Sequence, residues 1–185
     1  MMQKDKWIRF YTPEVLADIL IHQIDDKFLP SHVIDICAGS CNLLRQAQLK
    51  WPLAKFYASD IEQINNDSYL TGKFFSTKID ALDIINIRKK FKRKRNKLVL
   101  ANPPFGDINT CHENSIPSNL HNLFNSSKNT NRIECEILIS NFAILNTGDV
   151  FAGVLPENIF SADKMHDFRE NMFHLFDDFK VSISV

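Results

Sequence analysis

Short apolar runs recur along the chain, each closed by an acid or an amide and followed by small or polar residues. His32-Val33-Ile34-Asp35 is the first and Phe56-Tyr57-Ala58-Ser59-Asp60 the second. Residues 74–79 with Asp80 form the third, and Leu98-Val99-Leu100-Ala101-Asn102 the fourth. Runs of this length and composition predict buried strands. Their closing residues stand 25, 20 and 22 residues apart, the interval that a strand, a turn and a crossover helix need. Between the runs the period changes. Leu16, Ile19, Leu20 and Ile24 recur at helical spacing, and Tyr11-Thr12-Pro13-Glu14 opens that helix. Thr12 is its expected N-cap, Pro13 its first helical residue, and Glu14 suits the positive helix end. Leu43, Leu44 and Ala47 mark a helix after the first strand. A polar helix is expected over 62–70, ending near Gly72. Ile137, Leu138, Phe142 and Leu145 mark another over 133–145. A further strand is predicted at 149–155, a last helix at 163–176 and the start of a strand at 181–185. The pattern is that of an α/β fold with a mostly parallel sheet and helices on both faces.

Length and composition fit this reading. The chain has 185 residues, the size of one domain, and 44% hydrophobic content, enough for a core. One domain is expected over 1–185, with its first helix inside 1–30. The 22 basic residues balance the 22 acidic ones, but eight of the basic residues fall within 88–97, which reads RKKFKRKRNK without an acid. That run is either a solvated or partner-facing surface or a distal contact to phosphates. It enters the sheet at the end opposite to the strand ends where ligands sit in parallel folds. No apolar stretch approaches a membrane span and no secretory leader is visible. Cys37, Cys41, Cys111 and Cys135 form no C-x-x-C pair, so reduced thiols, a cytoplasmic location and no metal site are expected. From 106 to 132 the chain is rich in Asn and Ser with little apolar periodicity. It reads as a functional or mobile loop leaving the fourth strand.

Asn102-Pro103-Pro104-Phe105 concentrates the chemistry. The prolines fix their own φ, extend the residue before each, and carry no N–H. Asn102 adds a carbonyl acceptor and an amide donor, and Phe105 a face for stacking. Acceptors beside a stacking face suit a planar group bearing an NH2. The competing local reading is a strand end stopped by prolines. Asp35-Ile36-Cys37-Ala38-Gly39 places a carboxylate at a strand end before small residues, so backbone N–H groups can approach a ligand closely. Cys41 follows two positions later; a left-handed conformation there would be costly for a cysteine. Asp60 ends the second strand, where a ribose diol can donate to a carboxylate.

The ordered series resembles the S-adenosylmethionine-dependent N6-adenine DNA methyltransferases. Asn102-Pro103-Pro104-Phe105 matches their catalytic motif, Tyr11-Thr12-Pro13 their N-terminal cofactor motif, and Asp35 to Gly39 their glycine turn, with Cys41 at the usual second glycine. The order resembles the gamma group, including modification subunits of restriction systems. The resemblance implies a Rossmann-like class I methyltransferase fold. It also implies that Tyr11, Thr12, Asp35, Cys37, Ala38, Gly39, Asp60, Ile61, Asp80, Ala81 and Asn102 contact the cofactor, Ile61 against the adenine ring and Asp80-Ala81 at the adenine amine. Asn102 and Pro103 would accept the hydrogens of the target N6 amine, and Phe105 would stack on an adenine flipped from the duplex. In that group sequence choice lies in a C-terminal recognition domain or a separate specificity subunit. Neither is expected within these residues, nor is the closing hairpin of the sheet, so a truncated catalytic domain, a split enzyme needing a partner or a decayed remnant is expected. RNA adenine and protein glutamine methylation share such turns. A non-catalytic subunit of this fold, and a nucleic-acid-binding module using 88–97, also stay open.

Overall fold

The computed structural model describes residues 11–62, 64, 73–108 and 116–181. Five strands, β1 (His32–Asp35), β2 (Lys55–Asp60), β3 (Phe74–Lys78), β4 (Lys97–Ala101) and β5 (Val150–Gly153), form one sheet in the order β3-β2-β1-β4-β5. Every pairing is parallel, with Asp35 opposite Ala58 and Leu100, and Ala101 opposite Gly153. The chain first runs outward from β1 to β3 and then returns to β4 on the other side. The order therefore reverses between β1 and β4, and a crevice opens beyond their carboxyl ends.

Alternation along the strands separates two cores. Val33, Phe56, Ala58, Leu98 and Leu100 pack against α1 (Glu14–His22) and α2 (Asn42–Lys50) through Ala17, Ile21, Leu43, Leu44 and Ala47. Ile34, Tyr57 and Val99 point the other way, onto Ile87 and Phe91 of α3 (Ile84–Phe91) and Ile133 and Ile137 of α5 (Ile133–Phe142). Both faces are covered, which is why the central strands are continuously apolar instead of alternating. A third cluster joins α5 to α4 (His121–Thr130), α6 (Asn158–Ser161) and α7 (His166–Phe173), through Leu123, Phe124, Leu138, Phe142, Ile159, Phe168 and Met172.

Several elements differ from the sequence expectation. The helix α1 buries Ala17 and Ile21; Ile24 beyond its end is buried and Leu20 packs against the same core, while Ile19 is 42% exposed. The segment 106–132 is not one loop: a turn at Ser118–Leu120 leads into α4, which buries Leu123, Phe124, Ser126, Ser127 and Thr130. Its polar residues are accommodated because Ser126, Ser127 and Thr130 donate to the carbonyls of Leu123, Phe124 and Ser127, so their hydroxyls need no water. The last helix is shorter than 163–176, a turn at Asp163–Met165 preceding α7. Most of the expected helix at 62–70, Cys111 and 182–185 lie outside the described residues. No described helix is long and apolar enough to cross a membrane, and no described group of His, Cys, Asp and Glu could hold a metal ion.

The basic run is divided between surface and interior. Ile84, Ile87 and Phe91 seat α3 on the sheet, leaving Lys89, Lys90 and Arg93 exposed. Lys97, in contrast, is buried and ion-paired with the buried Asp149, and its ammonium also donates to the Lys94 carbonyl at 2.7 Å. The Asp149 carboxylate takes the N–H groups of Lys97 and Asn146 as well, at 2.8 and 2.7 Å. This pair ties the start of β4 to the turn before β5.

Candidate active site

Strand ends place the candidate residues. Asp35 is the last residue of β1, Asp60 the last of β2, and Asn102 follows β4, so all three stand at the carboxyl edge near the reversal of strand order. Asp80 follows β3 by two residues and its carboxylate accepts the Leu82 N–H at 2.9 Å. Burial holds the Cys37 thiol well above its ordinary range, and the carboxylates of Asp35, Asp60 and Asp80 add to that rise. Three acids at or just past strand ends thus act on one thiol.

A cleft open to solvent lies at this edge, lined by Tyr11, Thr12, Asp35, Cys37, Ala38, Gly39, Ser40, Asn42, Leu43 and Asn102. Seven of the residues expected from sequence are among them. Asp60 does not line the cleft itself, but its carboxylate accepts the Gly39 N–H at 2.9 Å and the Glu62 N–H at 3.1 Å. Ile61, Asp80, Ala81, Pro103, Pro104 and Phe105 are not in the lining either. Ala81 is buried under the sheet edge with Ile34 and Tyr57. Phe105 is half-buried beyond Asn102.

The turn between β1 and α2 is shaped for close approach. Gly39 has φ +48, and a Cβ there would meet the Tyr11 ring at 3.3 Å. Cys41, the N-cap residue of α2, has φ 61 and ψ 20. The position usually held by glycine is therefore left-handed here too, and the cysteine carries the cost of that conformation. Its side chain is buried in the α1–α2 core.

Thr12 departs from its expected role. The helix α1 starts at Glu14 with Pro13 at the N-cap position and without a side-chain cap. The buried Thr12 turns instead into the cleft, where its Oγ1 accepts the Asn102 Nδ2 at 2.8 Å. Asn42, which sequence reasoning did not single out, donates from Nδ2 to the Thr12 carbonyl at 2.6 Å. Its signal was its place as the first helical residue beyond the glycine turn. Thr12 is thus held from one side and holds Asn102 on the other.

Asp35 is 1% exposed and its Oδ1 accepts the Cys37 N–H at 2.9 Å. Burial pushes its carboxyl up to about 7; the Cys37 N–H draws it back and the charge of Asp60 raises it further. A cation entering the cleft would find a buried carboxyl ready to ionise.

The turn after Asn102 is anchored from α5. Gly106 N–H donates to the Glu134 carboxylate at 3.2 Å and the Gly106 carbonyl accepts the Ile133 N–H at 3.0 Å. Arg132 pairs with the fully buried Glu134 at 2.8 Å and with Asp107 at 3.3 Å. Asn-Pro-Pro-Phe is therefore fixed at both ends, by β4 before it and by this ion-paired network after it.

Comparison with family models and with curated proteins finds no match. Among solved structures, the chain is similar to the methyltransferase subunit of a type I restriction-modification system from Streptococcus thermophilus. The TM-score is 0.62 at 18% sequence identity, over 92% of this chain and 39% of that one. The fold is that of a Rossmann-like methyltransferase. In this fold the cleft lies at the reversal of strand order, with the β1–α2 turn on one side and the residue after β4 on the other.

Proposed function

We propose that this chain transfers a methyl group from S-adenosylmethionine to the N6 amine of adenine in DNA, as part of a restriction-modification system. The observation that carries the reading is Asn102 at the end of β4, oriented by Thr12 and facing the same cleft as Asp35 and Gly39. The cleft's donor set fits the cofactor. Asp35 is a buried carboxyl suited to an ammonium, and Asp60 beside Gly39 is an acceptor for a diol. The bare Cα of Gly39 keeps the wall open where a side chain would press on Tyr11. Tyr11, Thr12, Cys37 and Ala38 complete the wall; Ile61, Asp80 and Ala81, outside this lining, would serve the adenine end. When bound, the cofactor supplies an electrophilic sulfonium methyl.

The chain's own residues do the rest. Asn102 Nδ2 is held by Thr12, which fixes the amide plane, and Oδ1 is the acceptor for one hydrogen of the target amine. The Pro103 carbonyl accepts the other. Two acceptors draw the nitrogen out of conjugation with the purine ring and aim its lone pair, so catalysis is positioning and electrostatics. The adenine reaches the site by leaving the duplex, and Phe105 provides its stacking face, with Pro104 stiffening the turn. The neighbouring fold belongs to a methyltransferase subunit of a multi-subunit system, which supports DNA as substrate and a separate chain or domain as the source of sequence choice.

The test is Asn102→Ala, read by transfer of labelled methyl to adenine-containing DNA alongside the thermal shift given by S-adenosylmethionine. The expected result is a loss of transfer of about 10²–10³, the scale of removing one preorganised hydrogen-bonding group, with the shift by cofactor retained. Full activity in that variant would remove Asn102 from the mechanism.

A further inference from the structure

The far end of the same strands carries a second constellation, on the α3 face. His32, Tyr57 and Phe75 sit side by side on β1, β2 and β3. Their rings form a ladder: His32 and Tyr57 centroids are 5.9 Å apart at 28°, Tyr57 and Phe75 5.1 Å apart at 15°. Tyr57 at the centre is buried, His32 is half-buried, and Phe75 is 49% exposed. An exposed phenylalanine stacked on a buried tyrosine is a flat apolar face offered to solvent at a sheet edge.

Cations surround this ladder. Lys94 Nζ lies 4.1 Å from the Tyr57 centroid, and Lys90 Nζ 5.9 Å from that of Phe91, whose edge meets Tyr57. Lys55 is exposed at the position of β2 paired with His32, and the carbonyl of the exposed Arg95 lies 3.0 Å from His32 Nδ1. Burial and the charges of Lys94, Lys55 and Lys97 hold the His32 imidazole below its ordinary value. Burial and Lys94 do the same for Lys90. Every charge acting on these two groups is positive. Of the cations, Lys97 is neutralised by Asp149, whereas no described carboxylate forms an ion pair with Lys55, Lys90, Lys94 or Arg95. Uncompensated like charges held together weaken a fold unless something anionic meets them.

We infer that this surface binds single-stranded nucleic acid, independently of the cleft at the other end of the sheet, with Lys55, Lys90, Lys94 and Arg95 on the phosphates and Phe75 stacking on a base. An anionic polypeptide would satisfy the charges but leave the exposed ring unused. A phosphate backbone with bases uses both, because every base has a face to stack and every nucleotide a charge to neutralise. In a DNA-modifying assembly such a surface would hold a strand away from the flipped adenine.

The probe is a fluorescein-labelled oligothymidylate of about ten nucleotides, long enough to cross one such groove. It contains no adenine, so its binding reads this surface and not the proposed catalytic site. Anisotropy titrations over a salt series should show binding that weakens steeply with salt. Lys55→Gln, Lys90→Gln and Arg95→Gln together should lower the affinity and flatten the log K against log salt slope by about 2, at about 0.7 per phosphate contact. Phe75→Leu, which keeps apolar volume and removes the ring, should lower affinity about tenfold with the salt slope unchanged. Circular dichroism of both variants confirms folding. Absence of oligothymidylate binding by the wild-type chain overturns the inference. So does wild-type affinity and slope in the triple variant, or an undiminished affinity in Phe75→Leu. Equal competition by poly-glutamate of matched charge also overturns it, in favour of an acidic polypeptide.

Discussion

Replacing Asp35 by Asn isolates the electrostatic cost of the cleft. The carboxyl is 1% exposed and burial, reinforced by Asp60, pushes it up to about 7 from an ordinary 3.8. In the unfolded chain the proton leaves near 3.8; in the folded chain it stays until about pH 7. This group therefore supports folding fully below pH 3.8, loses that support as pH rises from 3.8 to 7, and gives none above it. At about 1.4 kcal/mol for each tenfold, the full span is about 4 kcal/mol. Asparagine keeps the side-chain oxygen that accepts the Cys37 N–H at 2.9 Å and removes the ionisation. Urea denaturation of both proteins from pH 4 to pH 8 measures the difference. The two stabilities should coincide near pH 4 and diverge with rising pH until Asp35→Asn is more stable by up to about 4 kcal/mol at pH 8. Parallel stability profiles would refute the claim that Asp35 ionises at a cost. The same titration has a functional counterpart. A cationic cofactor group meeting Asp35 favours the ionised carboxyl, so S-adenosylmethionine affinity should rise up to tenfold per pH unit until about pH 7 and then level off. Asp35→Asn should bind it more weakly and without that slope.

Three further substitutions follow from particular contacts. Thr12→Val removes the acceptor of Asn102 Nδ2 and should lower kcat about tenfold with little change in KM for DNA, while Thr12→Ser restores it; loss in both variants would mean that the methyl group, not the hydroxyl, matters. Cys41 is left-handed, so Cys41→Gly should melt at or above Cys41→Ala, reversing the usual order for these residues near a helix; a clearly lower Tm for the glycine variant would refute strain at φ 61. Asp149→Ala leaves the Lys97 ammonium buried without its carboxylate and should cost about 3–5 kcal/mol in chemical denaturation; a loss under 1 kcal/mol would contradict the buried pair.

The sheet was legible because parallel strands covered on both faces must be apolar throughout, and the residues that end them must be polar. Asp35, Asp60 and Asn102 stand where the strands end, so the same residues that punctuate the sequence mark the ligand edge. The helix α4 was not legible. Its serines and threonine carry the signature of a loop, and only their bonds to carbonyls three residues back make them buried helix residues. The helix α5 gives the opposite difficulty. All ten of its residues are buried, so it has no polar face, and Glu134 and Glu136 in its first turns look like surface residues until Arg132 and Ser127 are seen beside them.

Thr12 shows why local rules mislead at a site. Threonine before proline and glutamate satisfies every requirement of an N-cap, and a capping hydroxyl would have been worth about 1 kcal/mol to α1. The structure leaves that cap unmade and directs the hydroxyl to Asn102, ninety positions away in sequence. Asn42 in turn gives its Nδ2 to the Thr12 carbonyl while its Oδ1 accepts Arg45 within α2. Cys41 accepts a left-handed conformation in the same turn. The bonds of Thr12 and Asn42 converge on the orientation of one asparagine amide, and Cys41 carries its unfavourable conformation next to Asn42. Capping alone would have placed the Thr12 hydroxyl differently, and Thr12, Asn42 and Asn102 line one cleft together. Deviations from local preference that point to a common atom are the physical argument for a site that acts on Asn102.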